Sequence, residues 1–135
     1  MEKEYIYIGK INRDVLGKYK ERIITEDVIL TYERKEHIMS RHKEVYDEIF
    51  DNICEILYSP DYVLEDDKNS ETLLIIKALK VNNDNLIVVL KLNTNCDNSN
   101  KYNSILTVWK IRDRNLKKQL EKKQIIYSKV LRSNE

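Results

Sequence analysis

The sequence predicts an α+β fold, in which N-terminal helices pack on a four-stranded antiparallel sheet and a basic C-terminal helix follows. Three observations lead to this prediction. Apolar residues recur at spacings of three and four before Pro60, which is typical of helices, and the period changes to two after it. Polar segments between the later apolar runs are short. Because no helix of crossover length separates these runs, neighbouring strands are expected to be antiparallel.

Besides a short helix over residues 15–19 that Asp14 could cap, two helices are expected in the first half of the chain. Thr31 is a good N-cap residue, so we expect one helix over residues 34–40 that ends near His42. The second helix is predicted by the apolar spacing within residues 45–57. Pro60 disfavours helical geometry for the residue before it and is expected to end this second helix.

The rest of the chain is predicted to form strands and one further helix. Residues 5–8 indicate a short strand or an extended arm, and residues 27–30 indicate a short strand. Asp113 is expected to cap the basic helix. The predicted sheet strands are residues 62–65, 72–79, 85–92 and 102–111. A turn at Asn83-Asp84-Asn85 and a loop over 93–103 are expected between them. The basic helix is predicted over 114–123, and an extended or partly helical segment follows over 124–129.

Length and charge favour one domain with an anionic partner. A chain of 135 residues fits a single domain, expected to span residues 1–135. The formal net charge is only +1, yet residues 101–135 hold 10 Lys and Arg against 3 Asp and Glu, a net of +7. A basic end on a nearly neutral protein suggests an anionic partner, of which nucleic acid is the commonest. The alternative is a solvated, lysine-rich helix face.

The cellular setting is expected to be the cytoplasm. The apolar runs are far shorter than the roughly 20 residues of a membrane helix, so we expect no membrane association. The first ten residues hold two glutamates and no apolar core of a secretory signal. Cys54 and Cys96 are too few for a disulfide framework, and reduced thiols are expected.

The segment from His37 to His42 is the most informative for chemistry. His37 and Arg41 are four residues apart, so they share one face of a helix. An imidazole can transfer a proton near neutral pH, and a guanidinium can bind a phosphate with two donors. The alternative is a surface helix with incidental side chains, in which His42 interacts with the helix dipole. The two histidines are five residues apart and lack metal-ligand spacing, so no metal and no cofactor are expected.

Other polar residues are weaker candidates. Ser104 and Thr107 lie on a predicted strand before the basic helix and could donate to phosphate oxygens, although threonine is also an ordinary strand residue. Tyr127 could assist proton transfer or stack on a base, but it is one of nine tyrosines. Lys77 interrupts an apolar strand and could bind an anion or simply face solvent. The adjacent Asp66 and Asp67 are interpreted as loop residues.

The order of these features resembles the phage- and toxin-associated nuclease domains of the barnase–EndoU–colicin–RelE (BECR) superfamily. The similarity runs over about residues 9–127. The segments that carry it are VILTYERKEHIMSRH (28–42), YSPDYV (58–63), LIVVLKL (86–92), SILTVWKI (104–111) and KKQIIY (122–127).

This resemblance implies a metal-independent endoribonuclease, a toxin or phage effector, in which the 2′-hydroxyl of RNA attacks its own phosphate and leaves a 2′,3′-cyclic phosphate. RNA would be the substrate, with tRNA as one candidate, and an antitoxin or immunity protein would be a further partner. The catalytic set implied is His37 and His42 as acid or base, Arg41 at the phosphate, Thr107 and Tyr127. The implied substrate-binding residues are Lys77, Ser104, Lys110 and Lys123.

A second hypothesis belongs to a different functional class. The chain could be a non-catalytic module with the same fold, for example a phage-encoded inhibitor. It would bind nucleic acid or protein through its basic C-terminal helix.

Overall fold

The structure is a computed structural model, described here for residues 4–79, 83–95 and 101–129. Within these residues, seven strands form one mixed sheet, and three α-helices and two short 3-10 turns pack against it. The strands are β1 (Tyr5–Lys10), β2 (Asp27–Thr31), β3 (Tyr62–Glu65), β4 (Thr72–Ala78), β5 (Asp84–Lys91), β6 (Asn103–Arg112) and β7 (Ile125–Ser128). The helices are α1 (Tyr32–Asp51), α2 (Ile53–Tyr58) and α3 (Asp113–Lys122), and the 3-10 turns are Arg13–Val15 and Gly17–Tyr19. Cys96 and part of the predicted 93–103 loop lie outside the described residues.

The sheet corrects the predicted fold class. Its strand order is β1-β2-β6-β5-β4-β3-β7, so the four predicted strands are present as the antiparallel centre, but they are not the whole sheet. β2 joins β6 in parallel, and β1 and β7 extend the two edges. The prediction of N-terminal helices is also wrong, because α1 follows two strands and lies mid-chain. Local periodicity indicates that a short segment is extended, but it does not report which distant strand it pairs with.

Asn103 holds the parallel junction between β2 and β6 together. Only two residue pairs join these strands, Val28 with Asn103 and Ile29 with Ser104. The Asn103 side chain is fully buried, and its Nδ2 donates to the backbone oxygens of Thr25 (2.9 Å) and Asp27 (3.1 Å). Its Oδ1 accepts from the backbone N–H of Asn93 at 2.9 Å. One amide therefore satisfies three backbone groups around a very short ladder.

Replacing Asn103 with alanine is expected to destabilise the protein. The substitution leaves buried backbone groups unpaired, which costs about 1–3 kcal/mol in the free energy of unfolding. Urea unfolding followed by circular dichroism measures this loss. Asn115→Ala, at an exposed position of α3, is the matched control and should change stability by less than about 0.5 kcal/mol. Equal effects of the two substitutions would show that Asn103 does not hold the junction.

Helix α1 begins where the sequence predicts and bends where a break is expected. Thr31 is the N-cap, and its Oγ1 accepts from the Arg34 N–H at 3.1 Å, which confirms the predicted cap. His42 has non-helical angles (φ −140°, ψ 46°), so the helix bends there instead of ending. The predicted second helix is divided between the rest of α1 and the short α2, which stops at Tyr58, two residues before Pro60.

Asp113 does not cap α3 as predicted. The N-cap residue is Arg112, and its side chain makes no capping bond. The Asp113 Oδ1 instead accepts from the Nδ2 of the buried Asn85 at 2.8 Å. The Asp113 carboxylate therefore bonds to a side chain 28 residues away instead of capping its own helix. The spacing of residues along the sequence does not reveal such a distant contact.

The sheet has two covered faces, each with its own core. The first face packs against α2, the 3-10 turns and the buried Ile38 and Ile49 of α1. The second face packs against Leu116 and Leu120 of α3. Among the described residues, no helix is long and apolar enough to cross a membrane.

Candidate active site

A cavity of about 420 Å³ lies on the second face of the sheet. It is bounded by α3, by the start of α1 and by the turn that joins β3 to β4. The described lining residues are Arg34, His37, Asp66, Asn69, Thr72, Leu74, Val89, Leu106, Thr107, Trp109, Gln119 and Lys123. We call this space the second-face cavity.

A β-bulge shapes the floor of the second-face cavity. Val89 pairs with Thr107 and the next residue, Leu90, pairs with Ile105, so Leu106 is an extra residue on β6. Consecutive residues of a regular strand face opposite sides of a sheet, yet Leu106 and Thr107 both line the cavity. The bulge therefore brings a hydroxyl and an apolar side chain to the same floor. It also places Ile105 in the first-face core and Thr107 on the opposite face.

Helix α1 supplies one wall with two cationic or ionisable side chains. Arg34 and His37 are one helical turn apart and both line the cavity. The next residue, Ile38, is fully buried in the first-face core and fixes how this turn of the helix is rotated. The Ser40 Oγ donates to the His37 backbone oxygen at 2.9 Å, so this bond involves the main chain of His37 and not its imidazole.

Lys123 supplies the opposite wall, directly after α3. Its side chain is only 12% exposed, and its Nζ lies 2.9 Å from Asp67 Oδ1. The hydrogen bond from Lys123 lowers the pKa of the Asp67 carboxyl. The ion pair with Asp67 fixes the position of the Lys123 ammonium at the edge of the cavity and offsets its charge.

The turn after β3 forms a polar rim. Asp66 Oδ1 accepts from the Lys68 N–H and its Oδ2 accepts from Asn69 Nδ2, both at 3.0 Å. The Thr72 Oγ donates to the Ser70 backbone oxygen at 3.1 Å. The two bonds that Asp66 accepts fix the position of its side chain within the turn.

Gln119 contributes an acceptor of a different kind. Its Oε1 is buried and has no hydrogen-bond partner among the described residues. A buried acceptor without a partner is costly in free energy, which makes this atom an unusual feature of α3 beside the cavity.

Cationic and acidic side chains meet around the second-face cavity. Arg34 and Lys123 are the cations, Asp66 is the single carboxylate among the described lining residues, and Asp67 is paired with Lys123 beside the lining. In the part of the chain that the structure describes, no group of three or more His, Cys, Asp or Glu side chains lies close enough to hold a metal ion. The described polar lining consists of two cations, two hydroxyls, two amides, one carboxylate and one imidazole.

The structure brings three of the sequence-predicted residues together and leaves others apart. His37, Thr107 and Lys123 line the second-face cavity. Arg41 is exposed on α1 and His42 is at its bend, and neither is among the described lining residues.

Tyr127, Lys77 and Lys110 belong to the first face. Tyr127 packs against the first-face core, opposite Val63. Lys77 and Lys110 both pair with Leu86, a residue of that core.

The two first-face lysines and Ser104 have structural contacts of their own. Lys77 Nζ donates to the Ser59 backbone oxygen at 2.8 Å. Lys110 Nζ lies 2.9 Å from Glu48 Oε1, and this hydrogen bond raises the pKa of Lys110. Ser104 is at the β2–β6 junction and is not among the described residues that line the cavity.

Sequence reasoning did not select Arg34, Asp66, Thr72, Trp109 or Gln119. Arg34 could have been found, because it is three residues before His37 on the same predicted helix. Asp66 was interpreted as a loop residue, and it does lie in a turn, but that turn forms the rim of the cavity. Gln119 carries no sequence signal, since its role depends on how α3 crosses the sheet.

The fold defines an α+β domain with a cavity on one face of its mixed sheet. The chain belongs to the phage MuF C-terminal domain family, a phage head-related family whose model matches residues 34–135. Membership of the BECR superfamily, expected from the sequence, is therefore wrong. The segments that carried that resemblance are short strands and helix turns, whose apolar patterns follow from the sheet and its two cores. No curated protein and no solved structure matches the chain.

Proposed function

We propose that this protein is an endoribonuclease and that the second-face cavity is its active site. The observation that carries the proposal is the grouping of Arg34, His37, Thr107 and Lys123 around one cavity of about 420 Å³. These are a proton-transfer group, two phosphate-binding cations and a hydroxyl donor. RNA cleavage by its own 2′-hydroxyl needs such groups, and the nucleophile comes from the substrate.

The reaction exchanges one bond to phosphorus for another. The 2′-oxygen forms a bond to the adjacent phosphorus, and the bond from phosphorus to the 5′-oxygen of the next nucleotide breaks. A 2′,3′-cyclic phosphate and a 5′-hydroxyl result. The 2′-hydroxyl loses a proton and the leaving 5′-oxygen gains one. With one imidazole among the described lining residues, we assign one of these transfers to His37 and the other to water.

The side chains on the two walls of the cavity are proposed to stabilise the negative charge on the phosphate. Negative charge grows on the phosphate oxygens as the 2′-oxygen attacks. The Arg34 guanidinium can donate two parallel hydrogen bonds to these oxygens, and the Lys123 ammonium, which is paired with Asp67, can donate a further bond from the other side. The Thr107 hydroxyl on the floor can donate a further bond. Groups held in place before the reaction contribute most to such stabilisation.

Helix α3 is proposed to bind the RNA strand that leads into the cavity. Its outer surface carries exposed basic side chains beside the wall formed by Gln119 and Lys123. We call this surface the basic α3 face, and its residues are Arg114, Lys117, Lys118 and Lys122.

Reversing two charges on the basic α3 face should weaken RNA binding. For the Lys117→Glu/Lys118→Glu variant, the slope of log affinity against log salt is expected to fall in magnitude by about 1.4, or about 0.7 per lost phosphate contact. Filter binding of single-stranded RNA at several salt concentrations measures it. Lys20→Glu/Lys43→Glu, with the same charge change at exposed sites off α3, is the control. An unchanged slope in the α3 variant would show that the basic α3 face does not bind the RNA.

The test of the proposed function is incubation of the purified protein with total RNA and with tRNA in the presence of EDTA. Cleavage by the wild-type protein, absent from a His37→Gln sample, supports an endoribonuclease that needs no added metal. Tight RNA binding without cleavage would instead favour the non-catalytic binding module. Expression in cells separates the same two functions, since growth arrest by a nuclease should be removed by His37→Gln.

A further inference from the structure

We propose that Asp67 competes with the substrate for Lys123, so that its carboxylate holds the lysine ammonium until a phosphate of the RNA displaces it. The contact is then autoinhibitory, because Asp67 lowers the affinity of the second-face cavity for phosphate. This inference rests on the proposed function, since it takes RNA as the molecule that enters the cavity. It goes further by assigning a regulatory role to a residue beside the described cavity lining.

Lys123 lies between the second-face cavity and a second space beside it. The second space, of about 310 Å³, is bounded by the turn after β3 and by the end of α3, and we call it the turn pocket. Asp66, Asn69 and Lys123 are among the described lining residues of both spaces. Asp67 lines the turn pocket, and its Oδ1 is 2.9 Å from the Lys123 Nζ. Asp67 therefore binds the ammonium from the side of the turn pocket.

Asp67 differs from the two acids that precede it in the chain. Glu65 Oε2 lies 2.7 Å from the Nζ of Lys18, on one of the 3-10 turns. Asp66 accepts two bonds from its own turn. Asp67 instead reaches across to Lys123, and 43% of its side chain is exposed. Because this carboxylate is already partly hydrated, its return to water when Lys123 leaves costs little.

The backbone around the contact is fixed, so the exchange requires only side-chain movement. The Lys123 N–H donates to the backbone oxygen of Gln119 at 2.9 Å. The Glu65 N–H donates to the backbone oxygen of Gln124, also at 2.9 Å, and ties the end of β3 to the segment after α3. A lysine ammonium is carried on a flexible four-carbon chain. It can therefore turn from Asp67 towards an anion in the second-face cavity while both backbones stay in place.

Charge and hydrogen bonding make a phosphate a direct competitor of Asp67. The hydrogen bond from Lys123 lowers the pKa of the Asp67 carboxyl, and the nearby charge of Lys122 lowers it further, so the group is ionised at neutral pH. A phosphate offers the same negative charge and the same kind of acceptor oxygens. In the proposed site it also receives bonds from Arg34 and Thr107, which favours the exchange. The ion pair that it replaces is partly exposed and contributes little by itself.

The test measures the binding of inorganic phosphate to the full chain by calorimetry at constant ionic strength. Asp67→Asn keeps the size of the side chain and removes its charge. We expect this variant to bind phosphate about three- to fivefold tighter than wild type, the upper range for loss of a partly exposed ion pair. Lys123→Gln should bind phosphate more weakly. Adding Asp67→Asn to Lys123→Gln should give no gain, because Asp67 acts through Lys123.

Asp14→Asn is the matched control for Asp67→Asn. Asp14 Oδ1 lies 3.1 Å from the Nζ of Lys20 in an exposed ion pair, and neither residue is among the described lining of the cavity. The substitution makes the same charge change at a distant ion pair and should leave phosphate affinity at the wild-type value. Circular dichroism checks that each variant is folded.

RNA cleavage provides a second measurement that separates competition from a structural effect. Asp67→Asn should lower KM for RNA and leave kcat unchanged, because it frees a binding group without changing the reaction itself. Unchanged or weaker phosphate binding by Asp67→Asn, or a gain that persists together with Lys123→Gln, would overturn the competition. Tighter phosphate binding by Asp67→Asn without any RNA cleavage would uphold the competing contact and contradict the nuclease.

Discussion

Replacing His37 by glutamine is expected to lower the rate of RNA cleavage by about 10²–10⁴-fold, the usual contribution of a positioned acid or base. Glutamine suits a helix and keeps a polar side chain, but it cannot transfer a proton near neutral pH. The His37 side chain is exposed on α1 and outside both cores, so the fold should survive. Cleavage of a fluorescent RNA substrate under single-turnover conditions measures the rate, and circular dichroism checks the fold.

His42→Gln is the matched control for this prediction. It removes the other imidazole of the same helix, at the bend and away from the described cavity lining. We expect it to retain most of the wild-type rate. Full activity of His37→Gln, or loss of activity only in His42→Gln, would contradict the assignment.

Replacing Arg34 by glutamine is the second large expected effect, a loss of about 10²–10³-fold in the cleavage rate. This is the usual cost of removing one preorganised donor from a site where negative charge develops. Arg34→Lys should recover part of the rate, because it keeps the positive charge and loses the paired donors of the guanidinium. Single-turnover rates and RNA affinities of both variants separate an effect on the reaction from an effect on binding.

Arg41→Gln provides the comparison for Arg34. It removes an equal charge from the same helix, at an exposed position that is not among the described lining residues of the cavity. We expect a change of less than about threefold, since interactions between exposed charges are screened by salt. If Arg41→Gln were as damaging as Arg34→Gln, the phosphate would lie outside the second-face cavity.

Much of the local structure could be predicted from the sequence. The Thr31 cap, the change of geometry at His42 and the four central strands follow from side-chain preferences and from periodicity within a few residues. The pairing of β2 with β6 could not be predicted, because it depends on the side chain of Asn103 reaching Thr25 and Asp27, more than 70 residues earlier in the chain.

The candidate site was predictable only in part, and for the same reason. His37, Thr107 and Lys123 are chemically distinctive and were selected from the sequence. Their grouping depends on a bulge at Leu106, which no periodic pattern reveals and which turns Thr107 towards the second face. Tyr127 has equally suitable chemistry, but its strand pairs with β3 so that its ring packs on the first face.

The family assignment shows that a set of short motifs was not enough to identify the family of this chain. Each segment behind the superfamily resemblance has a structural reason to exist, as strand, cap or helix turn, before any function is considered. A family model that matches residues 34–135 overrides that resemblance. The proposed reaction therefore depends on the cavity and not on an inherited activity.

Analysis of the ends of the RNA fragments tests the central claim most directly. Purified wild-type protein is incubated with RNA in EDTA, and the fragments are treated with enzymes that distinguish terminal phosphates. The account predicts 2′,3′-cyclic phosphates and 5′-hydroxyls, because the nucleophile is the neighbouring 2′-oxygen. Fragments ending in 3′-hydroxyls and 5′-phosphates, or intact RNA after incubation with the folded protein, would contradict it.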